Sequence, residues 1–388
     1  MIARLILFVF LLASASAARA DCDAANRYVF SFANQSAATL SYGTTYSYTA
    51  RNGNGATQTV TMTLTQNGLS STAAGGVTLP AITTLVTGST LAQTLTIGGI
   101  FSGRTANLTG TTRVVTLTYN FPEPVRDVSF TLHDVDFAAN QFRDWIQVTG
   151  SAGTVAMSAP PGNGNGASAA RTATGSTVAF GTLSTPVSLT VSQAAGTAAA
   201  GNNSDEGTVN VSFAAPVTSV TLRYGNYPLV SGENSTGQQA IGISGVNYCP
   251  LPRITVTKTS TPYLTSGTNR FAIPGADVIY TFSVANTGGS PVDAATVVLT
   301  DVLPANVTFY GGDVDDGGPA TGPFEFTPGS SGLTLPTSGI AYSNNGGASY
   351  AYQATASYDA NVRAIRLTPS GSFAANSSFT VRFRARIN

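Results

Sequence analysis

The chain has 388 residues, 42% hydrophobic and only 9% charged, with 18 basic residues balancing 18 acidic ones. That composition excludes an intrinsically disordered chain, and zero net charge with scattered Arg and a single Lys excludes the basic face of a nucleic-acid binder. A single His makes zinc sites built on two or three His unavailable, and any Ser-His-Asp triad would have to use His133.

Residues 1–20 carry Arg4, an unbroken apolar run over 5–12 and the small-residue site Ala18-Arg19-Ala20. This is the pattern of a secretory signal peptide, with an apolar run too short to span a membrane as a helix. Its removal leaves 16 basic against 18 acidic residues and no further stretch of 18 apolar residues. The mature chain is therefore expected to be exported and free of membrane spans, at the cell surface or beyond it, with the periplasm left open. In an oxidising compartment Cys22 and Cys249 read as one disulfide. That bridge would staple a domain over 21–249, and Pro250-Leu251-Pro252 marks a linker at 250–253 before a second domain at 254–388.

From Tyr28 onward the local pattern has period two. Val187-Ser188-Leu189-Thr190-Val191-Ser192, Val209-Asn210-Val211-Ser212-Phe213 and Val278-Ile279-Tyr280-Thr281-Phe282-Ser283-Val284 are β-branched or aromatic runs suited to half-buried strands. Gly, Asn and Pro clusters such as 52–55 and 160–166 separate them as turns. No capped segment with a 3.6-residue apolar period occurs, so the fold class is all-β, with a jelly-roll-like β-sandwich in the first domain. One internal echo supports two packed sheets there. The pattern Phe-x-x-Pro-Val-x-x-Val-x-apolar occurs at Phe121 and again at Phe213. Each copy reads as a corner: a strand ends at Phe, Pro turns the chain, and Val starts the next strand.

The sharpest chemical constellation is His133-Asp134-Val135-Asp136-Phe137 with Asn140, Asp144 and Trp145. Strand alternation puts Asp134 and Asp136 on one face. With Asn140 and Asp144 from the return loop they could offer calcium four or more oxygens, and the alternative is a polar strand end whose Asp side chains cap turn amides. Trp145 is either a sugar-stacking ring or core beside Ile146 and Val148. The acidic run 311–318 lacks the spacing of a calcium loop and reads as a Gly-rich turn, and 202–206 reads as a loop. A carboxylate glycosidase would have to draw on Glu123, Glu206, Glu233 and Glu325 or on Asp134, Asp136 and Asp144.

Beyond the linker come Val256-Thr257-Lys258, then Pro274-Gly275-Ala276-Asp277-Val278-Ile279-Tyr280-Thr281 and Val284-Ala285-Asn286-Thr287-Gly288. Leu299-Thr300-Asp301-Val302-Leu303-Pro304, Val307-Thr308-Phe309 and the segment 373–381 follow in the same order. Residues 254–388 thereby resemble the repeat catalogued as domain of unknown function eleven, found in bacterial cell-surface and secreted proteins. The resemblance implies an immunoglobulin-like β-sandwich, a surface or spacer role and no catalytic residues; the insert 311–347 is longer and richer in Gly than that family suggests. Because some exported immunoglobulin-like domains form a Lys–Asn isopeptide bond, Lys258 with Asn376 as partner and Asp301 as acid is a candidate. Arg382, Arg384 and Arg386 share one face of the final strand and are expected to blunt an exposed edge. The first domain, through its Pro-Val corner, Asp134-Val135-Asp136 and Asp144-Trp145-Ile146, more loosely resembles exported bacterial β-sandwich domains, some of which bind calcium or sugars.

Three functions remain open at this point. The first is a non-enzymatic exported surface or matrix protein whose first domain binds a glycan or other extracellular ligand, with calcium as the only cofactor in view. The second is a structural stalk that self-associates, and the third is a carboxylate glycosidase.

Overall fold

A computed structural model describes residues 22–138, 141–158, 170–173, 177–178, 187–189, 192–227, 237–263, 272–316, 318 and 320–388. Residues 1–21, where a signal sequence is expected, the segment 160–166 expected as a turn, part of the run 187–192, Asn140, Glu233 and Gly317 lie outside the described residues. Among the described residues the chain is all-β: every strand pair is antiparallel, and the only helical pieces are three-residue 3-10 turns. It divides into two compact units, Cys22–Leu251 and Pro252–Asn388.

The principal strands of the first unit are Tyr28–Ser31 (β1), Thr44–Arg51 (β2), Thr57–Asn67 (β3), Thr94–Phe101 (β4), Val114–His133 (β5) and Phe142–Gly150 (β6). They continue with Gln193–Gly196 (β7), Val209–Phe213 (β8), Val217–Asn226 (β9), Gln238–Ile243 (β10) and Gly245–Pro250 (β11). Strand β5 belongs to both layers of a sandwich. Its first half pairs with β3 and β9, giving the order β2-β3-β5-β9-β6-β7. Its second half pairs with β8 on one side and with β10 and β11 on the other, and β4 adds to β10.

The change of layer can be read from which residues are buried. Along β5 the inward set is Val115, Leu117, Tyr119, Phe121 and Val125, then Val128, Phe130 and Leu132. The set moves from odd to even positions between Val125 and Val128, so the strand turns its other side to the core there. Asp127, inside this step, adopts a left-handed φ of 52°, and the register against β11 shifts between Arg126 and Ser129. Val209, Val211 and Phe213 of β8 and Val220, Leu222 and Tyr224 of β9 make the same switch. The two copies of the echo lie side by side, with Val128 opposite Phe213 and Val125 opposite Val217. The second copy separates two strands as expected, whereas the first bends inside one continuous strand.

Cys22 and Cys249 form a disulfide across 227 residues, next to the pairing of Tyr28 with Tyr248 in β1 and β11. Closing so long a loop restricts the unfolded chain, and by the loop-entropy relation that stabilises the unit by up to about 5 kcal/mol. The double variant Cys22→Ser/Cys249→Ser should therefore unfold at clearly lower denaturant. Trp145 lies in this unit and is the only Trp, so its fluorescence reports the transition; an unchanged midpoint would show that the bridge is not structural.

The second unit contains Ile254–Tyr263 (β12), Asp277–Asn286 (β13), Leu299–Val302 (β14), Val307–Tyr310 (β15), Ile340–Ser343 (β16), Ala364–Leu367 (β17) and Ser377–Ile387 (β18). One sheet runs β12-β13-β18-β15 and the other β14-β17-β16. Phe282, Phe309, Phe379 and Phe383 pack against Ile365 and Leu367 in its core. Strand β18 is central, which corrects the expectation that Arg382, Arg384 and Arg386 blunt an edge. Alternation does place them on one face, but that face is tied down. Arg384 bonds Asp277 at 2.5 Å and Asp316 at 2.7 Å, between the rings of Tyr263 and Tyr310 at 4.1 and 4.3 Å. Arg386 holds the other Asp277 oxygen at 2.9 Å, and Arg382 pairs with Glu325 at 2.5 Å.

Burial pushes the Asp277 carboxyl up, but hydrogen bonds from Tyr358, Arg386 and Arg384 outweigh it and hold the group below its usual range. A depressed carboxylate contributes stability above the ordinary pKa of about 4 and loses it as pH falls through the folded value. Acid should thus weaken this unit. Arg384→Ala should destabilise it by on the order of 3 kcal/mol, the low end for a broken buried pair because Arg386 still holds Asp277. Calorimetry of the variant checks this, and a shift within error would make the ladder ornamental.

Candidate functional site

Strand β5 ends at His133, and Asp134 stops it with a left-handed φ of 64°. Asp134 and Asp136 then border one cleft of about 420 Å³, shared with Gln141, Asn202, Gln238 and Gln239. The two carboxylates do lie together, although the residues between them are not in a strand. Glycine makes the fit close: a Cβ on Gly207 would lie 2.8 Å from the Asp134 Cα, and one on Gly196 would lie 1.7 Å from the Asp136 carbonyl oxygen.

The three aspartates have different partners. The Ala200 N–H donates to Asp136 Oδ2 at 2.9 Å. Tyr224 donates its hydroxyl to Asp144 Oδ1 at 2.5 Å, and the Asp136 N–H donates to Asp144 Oδ2 at 3.2 Å. Asp144 is fully buried with both oxygens engaged in the core, so it does not complete a calcium set with Asp134 and Asp136. Among the described residues no group of three or more His, Cys, Asp or Glu is arranged to hold a metal ion. This corrects the four-residue set: Asp134 and Asp136 face the cleft, Asp144 turns inward, and Asn140 is outside the described residues.

Asp134 is 8% exposed and its Oδ1 has no hydrogen-bond partner. Gln239, 2% exposed, also borders the cleft; its amide lies beside the Tyr224 hydroxyl and its carbonyl oxygen is unbonded. Burial first, and then the Asp136 charge, pushes the Asp134 carboxyl up to about 8. Burial also raises Asp136, to about 6, against the opposing hydrogen bond from Ala200. Asp144 is driven well above its usual range by burial and by Asp136, which the Tyr224 hydroxyl only partly offsets.

Trp145 is 7% exposed and packs with Leu108, Leu189, Ala195 and Tyr227, the Tyr227 ring lying 4.8 Å from it. It is core, and no exposed stacking platform forms there. His133, 4% exposed, places Nδ1 3.3 Å from the Thr208 hydroxyl. Ser89 donates both its N–H and its hydroxyl to Asp205, so the Ser-to-His-to-Asp relay of a hydrolase is not assembled. Lys258 bonds Asp301 at 2.6 Å and lies over the Tyr280 ring at 4.4 Å. Asn376 is far from it. Lys258 pairs with Phe282 and Phe282 with Val381, five residues beyond Asn376, or roughly 15 Å at about 3.3 Å per residue. The Lys258–Asn376 bond is therefore corrected to a Lys258–Asp301 ion pair. The intact mass of the mature chain should show no loss of ammonia or water, and such a loss would contradict this geometry.

Sequence reasoning missed Gln239, Tyr224 and Asp205. Gln239 sits in an ordinary strand run, and Asp205 in a loop that any surface turn resembles. No family model matches the chain, and no curated protein or solved structure is significantly similar to it. No helix among the described residues is long and apolar enough to cross a membrane.

The raised carboxyls fix the sign of a pH response. The folded unit keeps protons on Asp134 and Asp136 that the unfolded chain releases from about pH 4 upward. Their contribution is full below that value and is lost as pH rises through about 6 and 8. The Trp145 unfolding midpoint should fall between pH 4 and 8, and Asp134→Asn should flatten the profile; a midpoint that rises across this range would refute the assignment. Tyr224→Phe should cost roughly 1–3 kcal/mol at any pH, because it strips a partner from buried Asp144.

Proposed function

We propose that the protein is a non-enzymatic exported surface or matrix protein whose first unit binds an extracellular ligand, a glycan foremost, with the second unit serving as spacer. The observation that carries this reading is the acid cleft. Asp134 and Asp136 border it without a basic partner in their recorded hydrogen bonds and ion pairs, and Asp134 keeps an unbonded buried oxygen. A buried carboxylate of this kind favours whatever neutralises it, a proton or a cation. The residues present fit calcium only as a low-coordination site. Asp134 and Asp136 would hold it, with water and ligand oxygens completing the 6–8 positions that calcium takes. The Cys22–Cys249 bridge agrees with folding in an oxidising compartment. The spacer role rests on the ordered motifs of 254–388.

The mature chain, residues 21–388, should bind members of a panel of immobilised glycans and matrix polymers more tightly in calcium than in EDTA. Calcium should raise the melting temperature of the native chain but not of Asp134→Asn. Binding that ignores EDTA would remove calcium from the reading. Hydrolysis of a polysaccharide that stops in Asp136→Asn would replace binding by catalysis, and strong self-association without any ligand would favour a stalk.

A further inference from the structure

A second concavity of about 440 Å³ opens around His133 and Asp205. We infer that it is a sugar-binding pocket, taking a neutral polyhydroxylated ring. The inference rests on the reading that the first unit binds a glycan, and it places the sugar outside the acid cleft.

The side chains that border the pocket decide the class of ligand. No Lys or Arg lines it. Its one carboxylate, Asp205, is held below the usual range by the Ser89 hydroxyl and N–H. A phosphate or other anion would meet that charge with nothing to offset it. Nor does any aromatic or large aliphatic side chain line the pocket, whose only purely aliphatic side chains are the methyls of Ala33 and Ala92. Its exposed lining still holds more carbon than polar surface, so a ligand buries C–H faces there as well as forming hydrogen bonds, and a bare hydrocarbon would leave the polar groups unpaired. What remains is a ring of hydroxyls, amides, one imidazole and one carboxylate, groups that together donate and accept. A ligand with several hydroxyls, each also able to do both, matches that set.

The polar groups are also held before any ligand arrives. Asp205 is fixed by the Ser89 N–H at 3.1 Å and by its hydroxyl. His133 is set against Thr208 at 3.3 Å. Thr131 donates its hydroxyl to the Asn210 carbonyl oxygen at 3.1 Å, which leaves the Asn210 NH2 group to donate. Side chains already restrained lose less freedom on binding. Gly88 keeps the space for this arrangement: a Cβ there would lie 2.3 Å from His133 Nδ1 and 3.0 Å from Asp205 Oδ1. It also takes a φ of 58°, which a side chain would disfavour.

The experiment titrates the mature chain with neutral hexoses, with a hexuronic acid and a diamine as controls, following chemical shifts or heat. A neutral hexose should bind, and Asp205→Ala and Asn210→Ala should each weaken it at least tenfold. Both variants should keep the calcium-dependent rise in melting temperature, while Asp134→Asn should keep the hexose affinity. Gly88→Ala is the independent check: its methyl would displace His133 and Asp205, which line the pocket, so it should abolish hexose binding without altering the calcium response. If a hexose binds and the pocket variants leave it unchanged, the pocket is wrong and the glycan reading stands. Preference for the diamine or the uronic acid overturns the ligand class. If neither a free hexose nor any immobilised glycan binds, both readings fall together.

Discussion

Strand β5 lines both layers of the first unit, and its inward face changes sides on the way. With side chains alternating at period two, the change takes an odd shift in position, which falls between Val125 and Val128 at the left-handed Asp127. Because β8 and β9 are hydrogen-bonded to β5 along its length, they have to switch at the same level. That is why the Phe-x-x-Pro-Val pattern occurs twice and why its copies face each other. The far end of β5 is consequently well anchored, between β8 and β10. Asp134 stops the strand there, which brings the buried carboxyls of Asp134 and Asp136 to the acid cleft and leaves His133 at the neighbouring pocket.

The two units bury carboxylates in opposite ways. Asp277 has two guanidiniums and a tyrosine hydroxyl around it, and its ionised form is favoured. Asp134, Asp136 and Asp144 have backbone amides, a phenol and one another, and burial favours their protonated forms. The first arrangement is structural: every Asp277 oxygen is committed, and the surrounding rings of Tyr263, Tyr310 and Tyr358 stack the cations in place. The second leaves electrostatic free energy unspent. A fold gains nothing in stability from a buried carboxyl oxygen of Asp134 left unbonded beside the unbonded amide oxygen of Gln239, and carboxyls displaced in this way cluster at functional sites.

Local pattern carried much of the fold. Period-two runs marked strands, Gly and Pro clusters marked turns, and the positions of the two Cys, read with the expectation of export, marked the bridge. The shared cleft of Asp134 and Asp136 was legible too, though alternation was not its physical cause. What local pattern could not carry is strand order. Alternation placed Arg382, Arg384 and Arg386 on one face correctly, but whether β18 is edge or centre depends on β13 and β15, which lie at distant positions in the chain. The fate of Asp144 turns on Tyr224, 80 residues away, and the fate of Lys258 on Asp301, 43 residues away. Asp205 was hidden for another reason: its neighbours Asn202, Asn203 and Ser204 are what any solvated loop would contain.

Recognition and catalysis make different demands on the same residue types. A hydrolytic serine needs its proton taken by a base that can pass it on. Ser89 instead gives its proton to Asp205, while His133 faces Thr208 and is pushed by burial towards its neutral form. Those groups satisfy one another in pairs, which makes a rigid frame with donors and acceptors left over at its rim. The same loop that supplies Asp205 to this frame also supplies the Ala200 N–H to Asp136, and its Gly207 carbonyl accepts from the Val135 N–H at 2.8 Å. Residues 200–208 therefore touch both concavities at once. Neutralising Asp136 removes the charge that strengthens the Ala200 hydrogen bond, while Asp205 keeps its own bonds from the Ser89 N–H and hydroxyl, so each concavity is held by its own contacts.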